Sequence, residues 1–134
     1  MIHKNEELSV ITRAKECCLY VLSVTDRSPK KFRFTLVSKM QMYVLDVVEN
    51  LYMANCIRIE YGICPENVQI RRKYQDQAMT KCRLLSYITM IARESGCITA
   101  KQHSIISDKT IEIQRMLYSW QQSDEKRVKQ LNKE

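Results

Sequence analysis

Glycine and proline are almost absent from this chain. Its 134 residues include only two of each, and they mark three short breaks, one at Pro29, one between Gly62 and Pro65, and one at Gly96. A β-sandwich or barrel needs turn residues every ~8–12 positions, so this scarcity disfavours both folds. Glycine is favoured just past a helix end and proline just inside a helix start. We therefore predict four helices separated by these breaks.

Sequence motifs of catalysis and metal binding are also lacking. There is no Gly-rich phosphate loop, no Gly-x-Ser-x-Gly turn and no His-Glu-x-x-His helix. The six cysteines form no Cys-x-x-Cys pair, and the two histidines complete no zinc pattern with them. We therefore expect a protein that is not an enzyme and that uses no cofactor and no metal. A small enzyme or metal protein is the weakest of the hypotheses that we carry forward.

Signals for export or membrane insertion are missing as well. The first residues are mostly polar and include two acids, which predicts no secretory leader. No stretch reaches the ~18–20 apolar residues of a membrane span without a charge. Reduced thiols and a cytoplasmic location, with no membrane partner, are the corresponding expectations.

Apolar residues recur at three- and four-residue steps along each segment, which is the spacing of one helical face. The predicted helices cover residues 6–24, 35–61, 66–95 and 100–122. Thr99 followed by Gln102 is a candidate capping box for the last of them. Short connections make successive helices antiparallel, so we predict an all-α, up-down-up-down four-helix bundle over residues 1–123. Residues 124–134 are polar and are expected to form a tail or an extension of the fourth helix.

The second segment is apolar on more than one face. One set of residues includes Val47 and Leu51, and a second set, which includes Leu45, Val48 and Tyr52, lies on other faces. Only one side of a helix in a bundle of this size faces its own core, so we infer self-association through the other side. The alternative is a helix that is simply central in the fold.

The net charge is +7, and ten of the 22 Lys and Arg residues fall in two basic stretches. The first comprises Arg27, Lys30, Lys31, Arg33 and Lys39, and the second comprises Arg71, Arg72, Lys73, Lys81 and Arg83. Such cations contact phosphates with little base selectivity, which favours a nucleic-acid partner. A solvated basic surface is the alternative. Phe32 and Phe34 interleave with the first stretch, where they either anchor the helix start, which we favour, or stack on bases.

Four short sequences carry a resemblance to a known family. They are SPKKFRFTL at 28–36, YVLDVVENLYMAN at 43–55, GCITAKQ at 96–102 and MLYSW at 116–120. They resemble the four-helix-bundle family that contains the accessory variability determinant (Avd) proteins of diversity-generating retroelements and the ribosomal RNA intervening-sequence proteins. The resemblance covers about residues 8 to 123. Tyr118 departs from it, because the family commonly has glycine at that position.

The resemblance implies a basic, non-catalytic protomer that assembles into a barrel-like homopentamer. It implies a retroelement accessory protein that binds nucleic acid and the element's reverse transcriptase and supports mutagenic cDNA synthesis from template RNA. Arg83 resembles a basic position on the third helix of those members. The alternative within the same family is a ribosome- or rRNA-associated structural protein with no polymerase partner.

Overall fold

Four long helices make up the described part of the chain. The structure, a computed structural model, describes the backbone of residues 2–59 and 64–133 and the side chains of residues 9–59 and 64–133. The helices are α1 (Ile2–Asp26), α2 (Ser38–Cys56), α3 (Pro65–Glu94) and α4 (Ala100–Lys133), and these described ranges contain no strand. The prediction of an all-α fold with four helices is confirmed. No helix in these ranges is long and apolar enough to cross a membrane.

Each helix packs against its neighbours in the chain, and α1 closes the ring by packing against α4. The inward faces supply one continuous apolar core. Its largest fully buried apolar side chains are Met40, Leu51, Leu85, Ile106, Ile113 and Leu117. Trp120, near the α2–α3 end of the bundle, is also buried. This ring of neighbouring helices is the up-down-up-down arrangement that short connections favour.

The turn between α3 and α4 follows the sequence signals closely. Gly96 has a positive φ of 81°, and the amide of Cys97 donates to the carbonyl of Ala92 at 2.8 Å. This is the glycine C-cap that satisfies the last carbonyls of a helix. Thr99 and Gln102 then form the predicted capping box, with reciprocal hydrogen bonds of 2.8 and 3.1 Å. Both motifs at this corner of the fold are formed by residues that are near neighbours in the sequence.

The connection from α1 to α2 is more irregular than predicted. Pro29 leads into a short 3₁₀ turn, Lys30–Phe32, and then into a π-helical turn, Arg33–Val37. The α-helix begins only at Ser38, so the predicted start at residue 35 falls in the π turn. Phe32 packs against the core as expected for an anchor, whereas Phe34 is exposed.

The second helix is shorter than predicted, and the fourth is longer. α2 ends at Cys56, and Ile57 is already extended, so the predicted helix is wrong over residues 57–59. Residues 60 and 61 of that prediction and Gly62 lie outside the described residues. Pro65 occupies the first turn of α3, as predicted. The segment after residue 123 continues α4 to Lys133, which is the helix extension rather than a separate tail.

Gly96→Ala is expected to destabilise the fold by about 1–2 kcal/mol, because an L-residue is strained in the left-handed region. No atom lies within 4 Å of the added Cβ, so the loss reports backbone strain alone. Urea denaturation followed by circular dichroism measures it. Ser95→Ala, at an ordinary φ of −86°, is the matched control. Equal stability of the two variants would show that the positive φ is not required.

Candidate nucleic-acid interface

The two predicted basic stretches lie at different heights of the bundle. At one end, the hydroxyl of Ser28 donates to the carbonyl of Cys97 at 2.9 Å and joins the α1–α2 connection to the α3–α4 turn. At the other end, Arg71 donates to the carbonyl of Ile57 at 2.9 Å. Arg27, Lys30, Lys31 and Arg33 therefore lie at the first end, and Arg71 to Lys73 near the second. The stretches adjoin at Tyr43, whose ring centroid lies 5.8 Å from the Nζ of Lys39 and 5.4 Å from the Nζ of Lys81. Their outer parts lie at opposite ends and form no single surface.

Arg71 is not a surface cation. Its side chain is only 4% exposed and donates two hydrogen bonds of 2.8 Å to the carboxylate of Asp124. Its guanidinium also lies 4.9 Å from the ring centroid of Trp120. Gln75 donates a further hydrogen bond of 2.9 Å to the same carboxylate. The prediction that Arg71 contacts an external partner is therefore corrected: its guanidinium faces the interior and links α3, α4 and the end of α2.

Sequence reasoning missed this role because the partner stands 53 residues away. Asp124 belongs to the segment that we predicted to be a solvated tail or helix extension. Its neighbours Glu125, Lys126 and Arg127 carry charges of both signs, which is typical of a solvated helix. The helical register relative to Trp120 was the available signal, because residues 117, 120, 121 and 124 share one face of α4.

Two further predicted cations hold ion pairs within the chain. Arg72 reaches Glu125 at 2.9 Å and Asp76 at 3.3 Å. Lys81 reaches Asp46 at 3.2 Å, and its Nζ lies 5.4 Å from the ring centroid of Tyr43. These contacts offset part of the positive charge of the second stretch. Lys73 and Arg83 are exposed, and within the described residues neither has an ion pair.

The first stretch retains its charge. Arg27, Lys30, Lys31, Arg33 and Lys39 are all exposed, and none of them has a carboxylate partner among the described residues. The sequence from residue 27 to residue 45 contains no acid that could provide one. Like charges held together in this way make the local electrostatic potential positive, and this potential attracts anions.

The fold adds two cations to this end that the sequence prediction left out. Arg93 near the end of α3 and Lys101 in the first turn of α4 are exposed and flank the turn that Ser28 contacts. We define the cationic end as Arg27, Lys30, Lys31, Arg33, Lys39, Arg93 and Lys101. Residues 26–39 and 93–101, which contain it, include two acids, Asp26 and Glu94. The sequence separates the two contributions by more than 50 residues, and only the antiparallel packing joins them.

Four of the six cysteines are small core residues, whereas Cys56 and Cys64 are exposed. Cys17, Cys18, Cys82 and Cys97 are buried and free. Burial raises the pKa of both the Cys17 and the Cys82 thiol to about 12. Such thiols stay protonated and unreactive at neutral pH. In the ranges that the structure describes, no three His, Cys, Asp or Glu side chains form a group able to hold a metal.

An open groove of about 800 Å³ runs between the first half of α3 and the end of α4. Its walls include Val68 and Val128 together with Arg71 and Asp124. Their buried polar atoms are already paired with each other, and no buried side-chain N or O within the described residues is without a hydrogen bond. The buried polar groups of the groove are therefore already satisfied within the protein.

Comparison with known proteins gives no match, either to a protein-family model or to a curated protein. The resemblance to the Avd and intervening-sequence proteins stays a prediction from the short motifs of the sequence.

Two adjacent arginines provide a sharp test of this assignment of charges. Arg71→Met leaves the buried carboxylate of Asp124 without its cation and is expected to lower the free energy of unfolding by about 3–5 kcal/mol. Arg72→Met removes only an exposed pair and is expected to cost at most about 1 kcal/mol. Chemical denaturation of both variants makes the comparison. Equal losses would contradict a structural role that is special to Arg71.

Proposed function

We propose that this protein is a non-catalytic, nucleic-acid-binding accessory subunit of a diversity-generating retroelement. In this role it binds nucleic acid and the reverse transcriptase and supports mutagenic cDNA synthesis from template RNA. The copying enzyme provides the chemistry, and this chain contributes a cationic scaffold. The resemblance of the four short motifs supports the family assignment, and the exposed positive charges support binding through phosphate contacts.

The observation that carries the proposal is the cationic end. Its seven cations are exposed, and in the described part of the chain none is held in an ion pair. Seven Lys and Arg side chains against two acids, within two adjoining segments, leave a local excess of five positive charges. A phosphate backbone satisfies such a surface, and binding releases the condensed counterions of the nucleic acid.

Contacts of this kind fix position more than sequence. Lysine and arginine side chains on a turn and on helix ends reach phosphates at variable spacing, which suits a partner of changing sequence. A template that is copied with errors is such a partner. We include Lys73 and Arg83, which are exposed on α3, in the proposal as secondary contacts to RNA or to the polymerase.

The proposal includes self-association, in which protomers contact one another through the outward face of α2. Leu45 is 50% exposed and Tyr52 is 61% exposed, and Met42 lies one turn before Leu45. Val48, which the sequence placed with them, instead packs against the core. Apolar side chains left outside one protomer are available to bury against a second. The barrel-like homopentamer that the family resemblance implies would use this face.

The intervening-sequence alternative differs in its partner. A ribosome-associated protein would use the same cationic end on rRNA and would have no polymerase. Affinity purification from the native host, with sequencing of the bound RNA, separates the two. Recovery of a reverse transcriptase with its template transcript supports the proposal, and recovery of ribosomal RNA alone supports the alternative.

Binding to RNA is expected to weaken steeply between about 50 and 200 mM salt. The combined change Lys30→Gln, Lys31→Gln and Arg33→Gln should lower affinity and reduce the slope of log K against log salt by ~0.7 for each phosphate that the variant no longer neutralises. Arg72→Gln is the matched control, because two carboxylates already hold that cation. Fluorescence anisotropy with labelled RNA measures both. Salt-independent binding, or an equal effect of the control, would contradict the proposal.

Leu45→Asp is expected to dissociate the oligomer while helicity is retained, because the carboxylate would be buried unpaired at a protomer contact. Light scattering gives the mass. Leu19→Asp places the same charge at an exposed leucine of α1 and should leave the mass unchanged. An unchanged mass for Leu45→Asp would show that this face of α2 does not form the contact between protomers.

A further inference from the structure

Phe34 is the most exposed large apolar side chain among the described residues, at 86%. Its neighbours along the chain behave differently, since Phe32 and Leu36 pack against the core and Val37 is buried within it. Full burial of a phenylalanine is worth about 1.5–3 kcal/mol, and Phe34 forgoes most of it. Single exposed apolar residues are common, so a functional interpretation of Phe34 depends on the residues around it.

The exposed ring stands on a π-helical turn. Arg33–Val37 forms one wide turn between the 3₁₀ turn at Lys30–Phe32 and α2. Val37 at the end of this turn is buried in the core, whereas Phe34 near its start is exposed. Turns of this kind occur mostly as single insertions and are frequent at functional sites.

Exposed cations precede Phe34 in the chain. Lys30, Lys31 and Arg33 precede it within one turn, all exposed and, in the part of the chain described, without a carboxylate partner. The α3–α4 turn with Arg93 and Lys101 is tied to the same end by the hydrogen bond from Ser28 to Cys97. An exposed aromatic face within a positively charged surface is the combination that binds single-stranded nucleic acid. The cations track the backbone, and the ring stacks on a base.

Other partners fit this combination less well. The centre of a protein–protein interface is depleted of lysine, yet two lysines lie within four residues of this ring. A nucleic-acid duplex keeps its base faces stacked inside, so it can use the cations but not the ring.

We propose that Phe34 is a base-stacking platform that gives the cationic end its preference for single-stranded over double-stranded nucleic acid. This inference rests on the proposed function, because it requires that the cationic end binds nucleic acid, and it adds a form of nucleic acid and a residue that selects it. Stacking supplies the preference for unpaired strands, and phosphate contacts supply affinity for any strand.

Phe34→Ala tests the platform. Binding of a short unstructured RNA should weaken about 5- to 150-fold, the range that loss of one stacked base gives. Binding of a duplex of the same sequence should change little, and the salt slope should be unchanged, because every phosphate-binding cation is still present. Tyr118→Ala is the matched control, since that exposed aromatic lies on α4 well away from the cationic end. Phe34→Trp should retain single-strand binding, and its fluorescence should be quenched by RNA relative to the wild-type protein.

The outcomes separate the two proposals. Wild-type protein that binds no RNA in dilute buffer would overturn the proposed function and this inference together. Wild-type protein that binds RNA, with a Phe34→Ala variant that binds both forms as tightly, would overturn the platform alone. Equal weakening towards single strand and duplex would also overturn it, because stacking is confined to unpaired bases.

Discussion

The bidentate contact between Arg71 and Asp124 holds three parts of the bundle in one register. It joins α3 to α4, and through the carbonyl of Ile57 it also fixes the chain where α2 has ended. Removing two charges from water is costly, and geometry must offset that cost. Here the planar guanidinium meets both carboxylate oxygens, Gln75 donates to one of them, and the ring of Trp120 covers the cation. A one-turn slip of α4 against α3 would leave both charges buried and unpaired.

That register determines which cations are left for a partner. Arg71 is paired inside the protein, while Arg72 and Lys81 are held by carboxylates at its surface. The same antiparallel packing brings the α1–α2 connection beside the α3–α4 turn, where seven cations accumulate with two acids. The unpaired positive charge is therefore distributed unevenly over the surface, and one end of the bundle is strongly positive. The cations available to a polyanion are those that form no ion pair within the protein.

The parts of the fold that sequence predicted are those determined by near neighbours. Gly96, Thr99 with Gln102, and Pro65 act within a single turn of helix, and each lies where its chemistry requires. Contacts between distant segments produced the errors. The polar residues after 123 look solvated by themselves, yet Asp124 is buried because Arg71 is its partner. Likewise, no local pattern shows that the α3–α4 turn, which Arg93 and Lys101 flank, packs beside the α1–α2 connection.

The interpretation as a nucleic-acid-binding scaffold depends on the cationic end being the contact surface. Amide hydrogen exchange of the protein with and without an excess of single-stranded RNA measures this directly, segment by segment. We expect slower exchange in residues 27–39 and 93–101 on binding, with the amides around Arg71 and Asp124 unchanged. Protection centred instead on the first half of α3 and the end of α4, or no protection anywhere, would contradict the account.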